Sequence, residues 1–183
     1  MRITTKTGDD GTTGLFYGGR VPKNSTLPRA YGAVDEAQAF VALARAESDD
    51  DELTELLGRI CKDLYVLMAE LATLPDNRDK LEDGTTRVTA EMVDALEAIM
   101  DDLAGRFEPP TEFVIPGGAK VPALLDVART VVRRAERETI GAADEGHVVK
   151  YLNRLSDLLW TMARWQEGDS EISKEADGTV SGS

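Results

Sequence analysis

Four arginines crowd into nine residues of this sequence: Arg129, Arg133, Arg134 and Arg137. Arg129, Arg133 and Arg137 follow one another at intervals of four, so on a helix they share a face. Like charges at that spacing repel by about 0.2–0.5 kcal/mol per pair on an exposed helix. Either Glu136 and Glu138 balance them on a solvated face, or an anionic partner does. Basic residues are scarce in the chain as a whole, 21 among 183, and the planar guanidinium fork suits phosphate and carboxylate. Anion binding is the favoured reading.

A second constellation is Thr5-Lys6-Thr7-Gly8-Asp9-Asp10-Gly11-Thr12-Thr13-Gly14. Its glycines let backbone amides converge on an anion, and Lys6 and the hydroxyls add donors. No Gly-Lys-Ser/Thr follows, so it is not a Walker loop. Taken alone it reads more readily as a pair of tight turns, and Asp9 and Asp10 weaken a phosphate role unless they face solvent or a metal. Lys23 offers a further positive charge. Tyr151-Leu152-Asn153-Arg154-Leu155-Ser156-Asp157 sets Asn153 and Asp157 on one helical face, which serves a structural hydrogen-bond cluster and a polar site equally well. Asp35 and Glu36 interrupt an apolar helix, either as exposed residues, the commoner case, or as partners for an arginine. Phe113 sits in a Pro/Gly-bounded loop, where an aromatic usually anchors the loop to the core. The single cysteine, Cys61, falls on an apolar stripe and reads as a structural thiol. The single histidine, His147, precedes a helix and suits a cap or surface role. Neither supports zinc hydrolysis or Ser-His-Asp chemistry.

These residues need helices to place them. Residues 1–28 carry no helical period and permit at most a short hairpin. Apolar periodicity predicts helices over 29–47, from about 49 to a stop at Pro75, from an N-cap at Thr89 to Pro109-Pro110, from Pro122 in a first turn to about Ile140 with Gly141 as the stop, and from near His147. Residues 76–88 read as a polar surface loop. The expected architecture is all-α, a five-helix antiparallel bundle with an N-terminal Gly/Thr-rich loop. One domain spans 1–167, with 1–28 as its loop segment, and 168–183 reads as a disordered acidic tail.

A net charge of −13 argues against nucleic acid as a partner. No stretch approaches the roughly 20 apolar residues of a membrane span, and the N-terminus has no apolar signal core, so a cytoplasmic location is expected. Seven of the 21 basic residues are lysine; an acidic, lysine-poor surface raises the hypothesis of a high-salt source, against which full folding and activity in low-salt buffer would count.

In order and spacing, Thr5 to Gly14, Arg29 to Glu36, Phe113 to Gly118, Ala128 to Glu138 and Tyr151 to Asp157 resemble the PduO-type ATP:cob(I)alamin adenosyltransferases. The resemblance implies an enzyme that moves the adenosyl group of ATP to the cobalt of a reduced corrinoid (cobalamin), working as a homotrimer with sites between subunits. It implies ATP contacts at Thr5, Lys6, Thr7, Gly8, Thr13, Gly14 and Lys23, on the helix at Arg133, Arg134, Ala135, Glu136 and Arg137, and at Asn153. Magnesium would arrive through the ATP phosphates. Arg129 and Asp35 match a salt bridge between subunits, and Phe113 matches the aromatic closing the lower face of the corrin. A transient reductase and an acceptor of adenosylcobalamin are the further partners implied. Asp10 departs from a usual lysine and Gly14 from a frequent serine. Those departures favour the alternative of a nucleotide sensor or corrinoid carrier on the same bundle. A purely structural acidic bundle, its arginines paired internally, is the remaining rival.

Overall fold

Helix caps and apolar stripes account for most of the architecture. The computed structural model describes residues 6–143 and 146–168. Thr5 and the expected tail beyond Gly168 lie outside them. Two short strands, β1 (Thr12–Gly14) and β2 (Arg20–Pro22), pair antiparallel as a hairpin with Thr13 opposite Val21. The helices are α1 (Thr26–Ala46), α2 (Asp51–Leu71), α3 (Ala90–Ala104), α4 (Lys120–Thr139) and α5 (Val148–Glu167), with a 3-10 helix at Pro75–Lys80. The mostly helical bundle expected from periodicity is present.

The longest stripe, on α2, buries Leu53, Leu57, Ile60, Leu64, Leu67 and Leu71. Each such side chain contributes about 1.5–3 kcal/mol on burial. Asp50 caps the helix, its carboxylate accepting from Leu53 N at 2.8 Å, and Asp51 and Glu52 complement the dipole in the first turn. On α1 the buried residues other than Gln38 are small or β-branched, Ala30, Val34, Ala37, Val41 and Ala44, which lets α4 approach closely.

Boundaries differ from expectation in several places, the first being the end of α2, which stops at Leu71 ahead of Pro75. Helix α1 begins at Thr26 rather than 29, because Pro28 falls in its first turn, where its missing N–H costs nothing. Helix α3 stops at Ala104, ahead of Gly105, and does not reach Pro109-Pro110. The 76–88 segment is not wholly a loop: it opens with the 3-10 helix and buries Leu81 and Val88. Thr89 caps α3 as expected, accepting from Met92 N at 3.4 Å. Gly141, at φ +87°, follows α4 in the left-handed region.

The principal packing pairs are α1 with α2, α1 with α4, α4 with α5, and α3 with α5. Lys120 at the start of α4 meets Glu47 just past α1 at 2.5 Å, so those helices oppose. Gln166 near the end of α5 donates to Asp50 at the start of α2 at 3.1 Å, so those oppose too. Helices α3 and α5 run the same way: Arg106, just past α3, lies 5.7 Å over the ring of Trp165, while Glu91 and His147 share a hollow at the other end.

Among the described residues, no helix is long and apolar enough to cross a membrane.

Candidate active site

The hairpin is seated on the end of α2. Phe16 N donates to Ala72 O at 2.9 Å, and Gly19, at φ +91°, takes a backbone conformation that strains other residues, with a Cβ there reaching 2.6 Å from Leu74 Cδ1. Within the preceding loop, Gly11 N bonds Gly8 O at 3.2 Å, and Lys23 N bonds Gly11 O at 2.9 Å. Lys23 is thereby drawn over Gly8, where a Cβ would stand 3.0 Å from its Nζ. Lys6 has a φ of +61°, uncommon for a side chain with a Cβ. Lys6 and Thr7 are exposed and Thr13 half-buried.

Arg20, which the sequence reading passed over, is what organises this loop. Its Nη2 donates to Thr7 O at 2.5 Å and to Thr12 Oγ1 at 2.7 Å, and stands 3.8 Å from Asp10. Asp10 in turn accepts from Thr12 Oγ1 at 2.7 Å and Thr12 N at 2.9 Å. The Thr12 hydroxyl and amide, with Arg20 adding attraction, lower the Asp10 pKa. The negative charge at Asp10 is tied back into the hairpin, not left bare in the loop. Only the Gly18-Gly19 turn between two short runs could have signalled Arg20.

On α4, Arg133 and Arg137 are exposed, and Arg137 Nη1 donates to Arg133 O at 3.0 Å. Among the described residues neither has a carboxylate partner. Arg134 forms an ion pair with Glu36 of α1, so Glu36 takes the arginine-partner alternative. Asp35 is exposed. It does not meet Arg129 within the chain, since Arg129 Nε is held by Asp126 Oδ1 at 3.1 Å. Ala135 is buried on the opposite side of the helix. Thus the mutual repulsion of the arginines is only partly offset internally.

Asn153 is fixed at both ends of its amide: Nδ2 donates to Glu136 Oε1 at 3.1 Å, and Oδ1 accepts from Arg154 Nη1 at 2.8 Å. Arg154 is anchored on α3 by Glu97 at 2.5 Å, and that carboxylate raises its pKa. The start of α1 and the end of α4 enclose a hollow of about 300 Å³ bordered by Ser25, Arg29 and Arg137. It brings the chain just past Lys23 beside the arginine helix.

Phe113 does not anchor its loop. It is 87% exposed, at the rim of a hollow of about 400 Å³ shared with Val114 and Trp160. Arg129 borders a separate hollow with Pro116 and Gly117 of the same loop. Cys61 is half-buried, and burial raises its thiol pKa, which fits a structural thiol. His147 occupies the N-cap position of α5 without making a side-chain cap bond.

The model of one family, described as cobalamin adenosyltransferase, matches residues 3–166. The chain belongs to the cobalamin adenosyltransferase family. Relatives in that family include a corrinoid adenosyltransferase of Citrobacter freundii, 40% identical over 93% of this chain and 98% of its own length. Another, of Mycobacterium tuberculosis, is 42% identical over 93% of this chain and 91% of its own. The corrinoid adenosyltransferase PduO of Salmonella typhimurium is 37% identical, and the chain spans 51% of its length. Among solved structures, a phenylalanine-to-histidine variant of the PduO-type ATP:corrinoid adenosyltransferase from Lactobacillus reuteri, complexed with cobalamin and ATP, superposes with a TM-score of 0.85. It is 27% identical, over 94% of this chain and 97% of that one.

Proposed function

We propose that this protein transfers the 5′-deoxyadenosyl group of ATP to the cobalt of a reduced corrinoid. The observation that carries the proposal is the family match across nearly the whole chain, coupled to solved relatives holding ATP and cobalamin. The cobalt supplies the electron pair, forming a bond to the 5′-carbon as the carbon–oxygen bond to the triphosphate breaks. No side-chain nucleophile is required, which suits a chain with one cysteine and one histidine.

The protein's part is alignment and charge stabilisation. Arg133 and Arg137, which pair with no carboxylate among the described residues, are suited to the triphosphate, together with Lys6, Lys23 and the loop from Thr5 through Thr7 and Gly8 to Thr13 and Gly14. Removing one such donor typically costs about 3–4 kcal/mol of transition-state stabilisation. Arg134, Ala135 and Glu136 complete the nucleotide-binding helix, with Asn153 as the adenosine contact. Among the described residues no group of three or more His, Cys, Asp or Glu is placed to hold a metal. Magnesium is read as arriving with the ATP phosphates. We assign Phe113, exposed as it is, to the lower face of the corrin, where excluding a cobalt ligand would ease reduction.

Residues 1–167 are read as one catalytic unit built on five long helices, acting as a cytoplasmic homotrimer. Arg129 and the exposed Asp35 would pair between subunits. A reductase and an acceptor of the product would be transient partners. The sensor or carrier alternative leaned on Asp10 and Gly14, and the pairing of Asp10 with Arg20 weakens its first support.

The test is an anaerobic assay with chemically reduced cob(I)alamin, ATP and magnesium, following the cobalt spectrum. Adenosylcobalamin formation that drops about 100-fold or more in Arg133→Ala is expected. ATP binding without a carbon–cobalt bond would select the sensor or carrier instead.

A further inference from the structure

We propose that Arg164, buried near the end of α5, is a positioning residue that holds Arg129 in working orientation; this rests on the function proposed above. Arg164 is 2% exposed. Its Nη2 donates to Asp126 Oδ2 at 2.8 Å, and its Nε lies 3.1 Å from Glu167 Oε2. Asp126 is itself buried and gives its other oxygen, Oδ1, to Arg129 Nε at 3.1 Å. Each oxygen of one carboxylate therefore serves a different guanidinium.

That division matters because a carboxylate beside an arginine tends to take it through two parallel N–H···O bonds. With Oδ2 committed to Arg164, Arg129 is held through Nε alone. Among the described residues, neither terminal nitrogen of Arg129 makes a hydrogen bond. Arg129 thus keeps both amino groups available beside the Pro116-Gly117 hollow of about 320 Å³. Two guanidiniums, Arg129 and Arg164, and two carboxylates, Asp126 and Glu167, also balance in charge. Removing one member leaves an opposite charge uncompensated in a poorly solvated place.

The same cation reaches the other side of the site. The Arg164 guanidinium lies 6.0 Å over the ring of Trp160, which borders the hollow of Phe113. Glu167 Oε1 stands 3.1 Å from where a Cβ on Gly118 would be, so the loop carrying Phe113 ends against the network. One buried arginine touches both the residue that aims Arg129 and the wall beside Phe113.

The test compares Arg164→Met and Arg164→Lys, each alone and combined with Arg129→Ala, by anaerobic steady-state kinetics with ATP and corrinoid varied separately. Arg164→Met should lower kcat about tenfold, inside the roughly 100-fold that a misplacement transmitted from outside the reacting centre can cost, with the KM for ATP unchanged. Arg164→Lys, which restores a cation to Asp126, should recover most of the loss. Beside Arg129→Ala, Arg164→Met should cost nothing further. A loss that persists undiminished beside Arg129→Ala, or a KM for ATP that rises in step with the fall in kcat, would overturn the proposal and leave a purely structural role. Should Arg164→Met fail to fold, Asp126→Asn enters the same cycle and is judged by the same criterion. A wild-type chain that makes no adenosylcobalamin would overturn the reading of the whole site, and this inference with it.

Discussion

Replacing Gly8 by alanine should damage ATP use without damaging the fold. The added Cβ would lie 3.0 Å from Lys23 Nζ and 3.1 Å from Thr12 O, closer than ordinary van der Waals contact on both sides. Thr12 belongs to β1 and its carbonyl is backbone, so Lys23, with a flexible stem, is what gives way. If the Lys23 ammonium makes one charge-assisted hydrogen bond to the triphosphate, moving it away forfeits about 1.5 kcal/mol at the low end of such bonds. That corresponds to about a tenfold rise in the KM for ATP. Gly8 lies outside the buried core, so the loss of stability should stay below about 1 kcal/mol, or about 2–4 °C in melting temperature for a chain of this size. The assay is steady-state kinetics with ATP varied at saturating cob(I)alamin, beside a thermal melt. Lys23→Ala should reproduce the KM effect, and Gly8→Ala should add nothing to it. An unchanged KM in Gly8→Ala, or a rise that persists in the Lys23→Ala background, would refute the argument.

Two further outcomes follow from the same structure. Phe113→Ala should slow turnover much more than it raises the KM for ATP, and because the ring is 87% exposed the melting temperature should move by no more than about 0.5 kcal/mol's worth; equal losses in turnover and ATP affinity would sink the assignment. Asp50→Ala should remove the α2 cap and cost about 1 kcal/mol near neutral pH, read by denaturant unfolding. The Leu53 N–H, above all, holds the Asp50 carboxyl below its ordinary 3.8, with the Gln166 amide helping and burial opposing. A depressed folded-state pKa contributes stability above the unfolded value that is lost as pH falls through the folded one, so the difference between wild type and variant should shrink below about pH 3.8. A difference that stays constant into that range would rule out the carboxylate as its source.

Helix existence was legible wherever a stripe or a cap is written locally. Thr89 and the leucines of α2 are of that kind, because capping and amphipathic burial act within a few residues. The boundary at Thr26 was less so, since Pro28 reads as a breaker until it is seen to sit in a first turn. The arginine helix was readable as a face but not as a set of roles. Arg134 turns to Glu36 across the bundle, Arg129 to Asp126 beside it, and Arg133 to no carboxylate among the described residues. Spacing along one helix cannot sort such cases, because the partners are chosen by tertiary packing. Arg20 and the Asp126–Arg164 pair were invisible for the same reason: one depends on hairpin register, the other joins residues 38 apart in sequence. The exposure of Phe113 ran against the default for an aromatic in a loop.

If Asn153 meets the adenosine as proposed, its amide has a consequence for nucleotide choice. With its nitrogen committed to Glu136 and its oxygen to Arg154, the group cannot rotate by half a turn without setting donor against donor and acceptor against acceptor. What it has left to offer is one hydrogen and one lone pair in a predetermined sense. An incoming base must bring the complementary edge, since the amide will not turn over to accommodate it. On the adenosine contact proposed for Asn153, selectivity among bases would be decided before any nucleotide arrives, by Glu136 and by an arginine that α3 holds through Glu97.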